Sequence, residues 1–202
     1  LPDRVRLPLP VAIAPLLADC ERLSVPEWTS HFVPAHYAGD WSVLPLRAPA
    51  GATHPIQQIT SHPSTRQWVP TAHLDAAPAI AALLASLQCP LGTVRLMRLA
   101  PGSRIHEHRD DDLDAAWGMA RLHVPLATNA QVHFMLNGSA VRMAVGECWY
   151  LRLSDPHRVA NDGATSRVHL VIDAFVNDWL EARLLEGMAA ARADGAPDAG
   201  TR

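Results

Sequence analysis

From residue 93 onward, apolar and polar positions alternate in short runs separated by Gly, Pro and Asn. Alternation with a period of two is the signature of half-buried strands. It predicts strands near 93–99, 104–108, 119–126, 131–137, 140–144, 147–152, 157–161 and 166–173. Asn137-Gly138 lies between two such runs, and this dipeptide suits a tight hairpin turn that needs two positive φ angles. Eight short strands at this spacing indicate a sandwich or barrel, and a jelly roll of the cupin kind satisfies the count. Upstream, Trp41, Val43 and Pro45 alternate with Ser42, Leu44 and Leu46, which predicts a further strand within 36–47, buried on both faces.

Helical patterns flank this region. Residues 11–24 have apolar spacing for a short helix whose start is limited by Pro15. Asp75 is placed to cap a helix running to about Gln88, with Pro78 in its first turn and Cys89-Pro90-Leu91-Gly92 stopping it. From Val176 to about Ala193, Trp179, Leu180, Leu184 and Met188 form an apolar stripe, as expected of a helix packed outside the barrel. Residues 1–10 read as an extended arm, 48–55 as turns and Ile56 to Thr60 as a short strand. The polar tail 194–202 is expected to be disordered. Together these make one domain spanning 1–202, an all-β core over about 36–175 with helices at about 11–24, 75–88 and 176–193.

Composition adjusts this picture little. Residues are 49% hydrophobic and 18% charged, with a formal net charge of −3. That provides no basic footprint for nucleic acid. No apolar run approaches the length of a membrane span, and the first residues do not read as a signal peptide. Three scattered cysteines without a C-x-x-C pair argue against thiolate zinc and suit a reducing, cytoplasmic setting.

The candidate chemistry lies between Pro101 and Asp173. His108 and Asp110 are two positions apart, which on a strand places both side chains on one face. His157 follows 47 positions after Asp110 and completes a possible two-His, one-carboxylate set, the usual holder of a non-haem Fe(II). His106 and the acidic run Asp111, Asp112 and Asp114 crowd the same stretch, and a solvated loop has the same appearance. The sequence Asn161-Asp162-Gly163 suggests a hairpin centred on Asp162, which would set Arg167 opposite His157 on the inner face. A buried guanidinium needs an anion, either a ligand carboxylate or an acid such as Asp173. On 119–126, Arg121 and His123 share a face opposite Leu122, Val124 and Leu126.

These residues together resemble the aspartyl/asparaginyl β-hydroxylase family of Fe(II)/2-oxoglutarate dioxygenases. The resemblance rests on P-G-S-R-I-H-E-H, A-R-L-H-V-P-L and H-R-V-A-N-D-G-A-T-S-R-V-H-L-V-I-D, and more weakly on H-Y-A-G-D-W-S-V-L-P-L-R. It implies a double-stranded β-helix core. It also implies iron held by His108, Asp110 and His157, with the 2-oxoglutarate cosubstrate held by Arg167, Arg121 and His123. The animal peptidyl enzymes carry Gly where Asp110 stands and Ser where Met97 stands. The full triad is therefore more similar to the soluble bacterial branch that includes proline cis-hydroxylases. The implied reaction uses dioxygen to hydroxylate an unactivated C–H of an amino acid or an aminoacyl or peptidyl substrate, releasing succinate and CO2. Trp41, Arg98, Arg104, Arg109, His106, the Asp111–Asp114 loop, Trp117 and Trp149 are candidates for holding that substrate. Two other readings stay open: a cupin isomerase or hydrolase using Zn or Mn on the same ligands, and a non-catalytic ligand-binding cupin. Oligomeric state is also open, with a homodimer through an outer face or the last helix as one option.

Overall fold

In the computed structural model, the described residues are 1–23, 28–60 and 65–193. The alternation from residue 93 onward resolves into eight strands, preceded by five more. In chain order they are β1 (Arg4–Leu7), β2 (Thr29–Ser30), β3 (Tyr37–Ala38), β4 (Trp41–Pro49), β5 (Trp68–Pro70), β6 (Leu91–Leu99), β7 (Arg104–His108), β8 (Met119–Ala127), β9 (Val132–Leu136), β10 (Ser139–Val141), β11 (Cys148–Leu151), β12 (His157–Asn161) and β13 (Arg167–Phe175). They form two antiparallel sheets. The larger runs β1-β11-β8-β13-β6-β4-β2, with β5 also pairing β4, and the smaller runs β10-β9-β12-β7-β3. Four of the eight downstream strands (β6, β8, β11 and β13) lie in the larger sheet and four (β7, β9, β10 and β12) in the smaller. The chain therefore passes repeatedly from sheet to sheet, as in a jelly roll. Among these eight described strands, only the β9–β10 hairpin stays within one sheet, and there Asn137 and Gly138 adopt φ of 51° and 72°, the turn expected of that dipeptide.

Period-two alternation sorts the larger sheet's side chains into two cores. Leu44, Leu46, Val94, Leu96, Leu122, Val124, Leu170 and Ile172 face a helical layer. Val43, Met97, Leu99 and Val171 face the smaller sheet, where they meet Ile105, Phe134, Leu136 and Val159. The helical layer comprises α1 (Ile13–Arg22), α3 (Ala72–Asp75), α4 (Pro78–Ser86) and α5 (Asp178–Ala193), while α2 (Pro55–Ile59) lies beside β4. Within the predicted stripe of α5, Leu180 and Leu184 are fully buried. The Asn177 side chain caps this helix by accepting from the Leu180 N–H. A Cβ at Gly187 would stand 2.3 Å from the Arg6 carbonyl oxygen, so only glycine permits the close approach of α5 to β1.

Three expectations are corrected. The N-terminal arm contains a paired strand, with Arg4–Leu7 in register with Leu151–Cys148. The segment from Ile56 to Thr60 is largely helical rather than extended, because Pro55 opens a turn that the His54 side chain caps. Asp75 ends α3 instead of capping the longer helix, which begins at Pro78 after an uncapped Ala77. The tail 194–202 lies outside the described residues. Among the described residues, no helix is long and apolar enough to cross a membrane.

Candidate active site

A cavity of ≈ 500 Å³ is lined by residues of β4, β6, β8 and β13 from the larger sheet and of β7, β9 and β12 from the smaller. His108 is the last residue of β7 and His157 the first of β12, and the two are cross-strand partners. Their rings lie 4.2 Å apart between centroids. Asp110 does not share the strand face, because β7 ends at His108. Its backbone N–H instead donates to Leu153 O at 2.8 Å, which folds the chain back toward the two imidazoles. One ligand atom from each of His108, Asp110 and His157 falls within 4.8 Å of the others.

Both imidazoles are oriented by their own backbone. His108 Nδ1 lies 2.8 Å from His106 O, and His157 Nδ1 lies 3.0 Å from Asp155 O. A carbonyl only accepts, so each Nδ1 is the protonated nitrogen and each Nε2 keeps a free lone pair when the ring is neutral. Burial favours the neutral ring at His157, pushing its pKa down to about 4. A metal-ligating histidine is usually oriented in this way by a hydrogen bond from its second nitrogen. Two neutral Nε2 atoms and a carboxylate suit a divalent cation such as Fe(II).

Deeper in the cavity are two buried arginine sites. Arg121 donates to Asp173 through Nε at 2.6 Å and Nη2 at 3.0 Å, and to Asp110 Oδ2 through Nη1 at 2.8 Å. Arg95 donates to Asp173 Oδ2 and to Ile59 O, each at 2.6 Å. Burial alone would raise the Asp173 pKa, but the adjacent Arg121 and Arg95 outweigh it and hold the carboxyl below its ordinary value. Arg167, 3% exposed, has no such partner. Among the described residues, no carboxylate pairs with it, and its Nε has no hydrogen-bond acceptor. Nη2 donates to His169 Nδ1 at 3.0 Å, and the guanidinium lies 5.8 Å from the Phe134 ring centroid. Burial pushes its pKa down to about 9, so it remains a cation at neutral pH. His123 also faces the cavity, and neither of its ring nitrogens has a partner among the described residues.

Arg167 and His157 both line the cavity, as expected, but not as hairpin partners. β12 belongs to the smaller sheet and β13 to the larger. The buried Asn161 explains the difference. Its side chain donates to Leu99 O and Thr165 O and accepts from the Gly163 N–H, so the chain crosses between sheets. Asp173 serves Arg95 and Arg121 rather than Arg167.

Of the residues expected to hold substrate, Trp41, Arg109, Asp111 and Asp112 line the cavity. Arg98, Arg104, His106, Trp117 and Trp149 do not. Arg98 lies over Trp28 and donates to Ser42 Oγ, while Arg104 pairs with Asp162. The exposed His106 ring contacts Ala35 O, Trp117 is 67% exposed, and Trp149 donates to Glu147. Cys148 is buried in the core beneath the helices. Sequence reasoning missed Arg95, whose alternation with Val94 and Leu96 marks it as inward-facing. It also missed His31, which stacks on Trp41 at 3.6 Å and is held neutral chiefly by burial, with its pKa near 3.

A family model described as aspartyl/asparaginyl β-hydroxylase matches residues 18–176. Among solved structures, an oxidoreductase of the 2OG-Fe(II) oxygenase family from Burkholderia pseudomallei aligns with a TM-score of 0.55 at 16% identity, covering 86% of this chain and 84% of that one. The non-heme alpha ketoglutarate dependent epimerase SnoN from nogalamycin biosynthesis aligns with a TM-score of 0.51 at 15% identity, covering 86% and 76%. Both likenesses show the jelly-roll fold.

Proposed function

The chain belongs to the aspartyl/asparaginyl β-hydroxylase family, and from that premise we propose that it is an Fe(II)- and 2-oxoglutarate-dependent dioxygenase. Its reaction is the hydroxylation of an unactivated C–H of an amino acid or of an aminoacyl or peptidyl substrate, with release of succinate and CO2. The observation that carries this reading is Arg167, a buried cation facing the same cavity as the triad and lacking an anion. An unpaired buried charge is costly, so a fold that keeps one favours a ligand of opposite charge.

His108, Asp110 and His157 would hold the metal ion, which supplies dioxygen activation when bound. Arg167 takes the carboxylate at the far end of the cosubstrate, where two guanidinium N–H groups can meet two oxygens. His123, with both nitrogens unpartnered, supplies a hydrogen bond along the cosubstrate's length. Arg121 has its charge balanced within the fold by Asp173 and Asp110. Trp41 and Phe134 form apolar walls that exclude water from the reacting carbon. The substrate enters on the side of Arg109, Asp111 and Asp112, with Trp41 beside it. The open cavity fits a small molecule or an extended side chain. The three free cysteines fit a reducing cytoplasm.

The test is anaerobic difference absorbance as the apo-protein is titrated with Fe(II) and then 2-oxoglutarate. A visible charge-transfer band on the second addition, lost in His157→Ala, is the expected result. Folded, iron-loaded protein that gives no band would overturn the reading in favour of Zn or Mn cupin chemistry. Amino acids screened for coupled succinate release would then identify the substrate.

A further inference from the structure

We infer that Arg121 is a positioning residue for the metal centre, fixing the carboxylate of Asp110 through a buried relay that ends at the Ile59 carbonyl. The inference rests on the proposed reading of His108, Asp110 and His157 as metal ligands. It gives Arg121 a task different from the cosubstrate contact that the family resemblance implies.

Asp110 needs such help. It lies beyond the end of β7, and its side chain is 32% exposed. A carboxylate in that position would otherwise sample several rotamers in contact with water. Arg121 Nη1 takes Oδ2, which leaves Oδ1 for an ion. Arg121 is itself held in one orientation. Its Nε and Nη2 edge pairs with both oxygens of Asp173, so Nη1 is the nitrogen left to aim at Asp110. Asp173 stands opposite Arg121 on β13 and is held from its other side by Arg95, which is in turn anchored on Ile59 O. Two guanidiniums and two carboxylates balance, so the relay is neutral overall and its inner members, Arg95 and Asp173, can be buried. Lysine substitutes only in part, because one ammonium keeps the charge but lacks the planar fork that spans two carboxylates at fixed angles.

The experiment is titration of apo wild type, Arg121→Gln, Arg121→Lys and Arg167→Met with Co(II) alone, followed by 2-oxoglutarate at saturating Co(II). Binding is read by calorimetry and by the Co(II) ligand-field spectrum. Arg121→Gln is expected to lose about 10–100-fold in Co(II) affinity, the usual effect of removing a group that orients a metal ligand. Arg121→Lys should lose less and show an altered spectrum. In both, 2-oxoglutarate affinity at saturating Co(II) should match wild type. Arg167→Met should show the reverse: normal Co(II) binding and weak 2-oxoglutarate binding. Wild-type Co(II) affinity and spectrum in folded Arg121→Gln, with weakened 2-oxoglutarate binding, would overturn the inference and return Arg121 to the cosubstrate. If Arg121→Gln does not fold, Arg121→Lys decides by the same two readouts. Wild-type protein that binds no Co(II) would overturn the metal-centre reading, and this inference with it; unchanged variants beside a metal-binding wild type overturn the inference alone.

Discussion

Two buried arginine sites face the same cavity from the same sheet, and the fold compensates only one of them. Arg121 and Arg95 share Asp173, and Arg121 also reaches Asp110, so every charge in that cluster has a partner. Arg167, at the other end of β13, has an imidazole nitrogen and an aromatic face but no carboxylate among the described residues. Arg95, Asp173 and Arg167 are all buried, so burial alone does not distinguish structural from ligand-binding charges. Compensation does: a buried charge balanced within the fold contributes to architecture or positioning, whereas one left unbalanced is poised for a ligand.

The largest expected effect breaks the compensated side. Asp173→Ala leaves Arg95 and Arg121 with one carboxylate, Asp110, between them. Removing one partner of a buried ion pair costs about 3–5 kcal/mol, because the remaining charge stays desolvated. Urea unfolding of the apo-protein should show a loss of this size. A loss near zero would mean that water enters the cluster freely and that burial is not what makes the pairing matter.

Arg167→Met should have the opposite signature. Deleting a charge without a partner should leave apo stability unchanged or raise it by about 1 kcal/mol or more, because an apolar side chain of similar length suits the site better. Cosubstrate binding should weaken by about 2–5 kcal/mol, the range for removing one member of a buried, hydrogen-bonded charge pair. Stability and 2-oxoglutarate affinity measured on the same preparation would then move in opposite directions. If both fell together, Arg167 would be a structural cation and the contrast with Arg121 would collapse.

This contrast was only partly legible in the sequence. The strands from residue 93 onward were, because alternation with period two is local and Asn137-Gly138 admits few conformations. The inward faces of β8 and β13 were also legible, since Arg121 and His123 interrupt an otherwise apolar alternation. Long-range pairing was not. Asn161-Asp162-Gly163 reads as a hairpin, and only the tertiary environment of the buried Asn161 side chain sends the chain to the other sheet. The destination of Asp173 was hidden for the same reason, since sequence shows that an inward carboxylate needs a cation but not which of three inward arginines it meets. The short helix at Pro55–Ile59 was missed because five residues are too few for periodicity to register, and the capping role of His54 is unusual. The outward positions of Arg104, His106 and Trp117 depend on a strand edge and a loop that local pattern does not orient.

The smallest effect, and the one that sharpens the comparison most, is on the pH dependence. His123 and His169 have pKa values well below the ordinary histidine value, first through burial and then through the nearby Arg167 cation. The folded protein therefore binds fewer protons than the unfolded chain as pH falls below about 6.5. Stability is full above that value and declines below it, at about 1.4 kcal/mol per pH unit for each imidazole that takes up its proton only on unfolding. Asp173 behaves differently. Its carboxyl is held low by Arg121 and Arg95, so its contribution persists until pH falls below the unfolded carboxyl value near 3.8. Urea midpoints of the apo-protein should thus fall first between pH 6.5 and 5, where imidazoles of the unfolded chain take up protons that the buried ones, His31 and His157 as well as His123 and His169, refuse, while the compensated cluster stays intact. In Arg167→Met the largest electrostatic part of the histidine shifts is gone, leaving burial and the smaller effects of Arg121 and His157 on His123 and of His123 on His169. The fall should then begin at the same pH but be complete at a higher one, ending with a smaller total loss. An acid profile identical to wild type would show that Arg167 exerts no field on its neighbours, as expected if solvent already screens it.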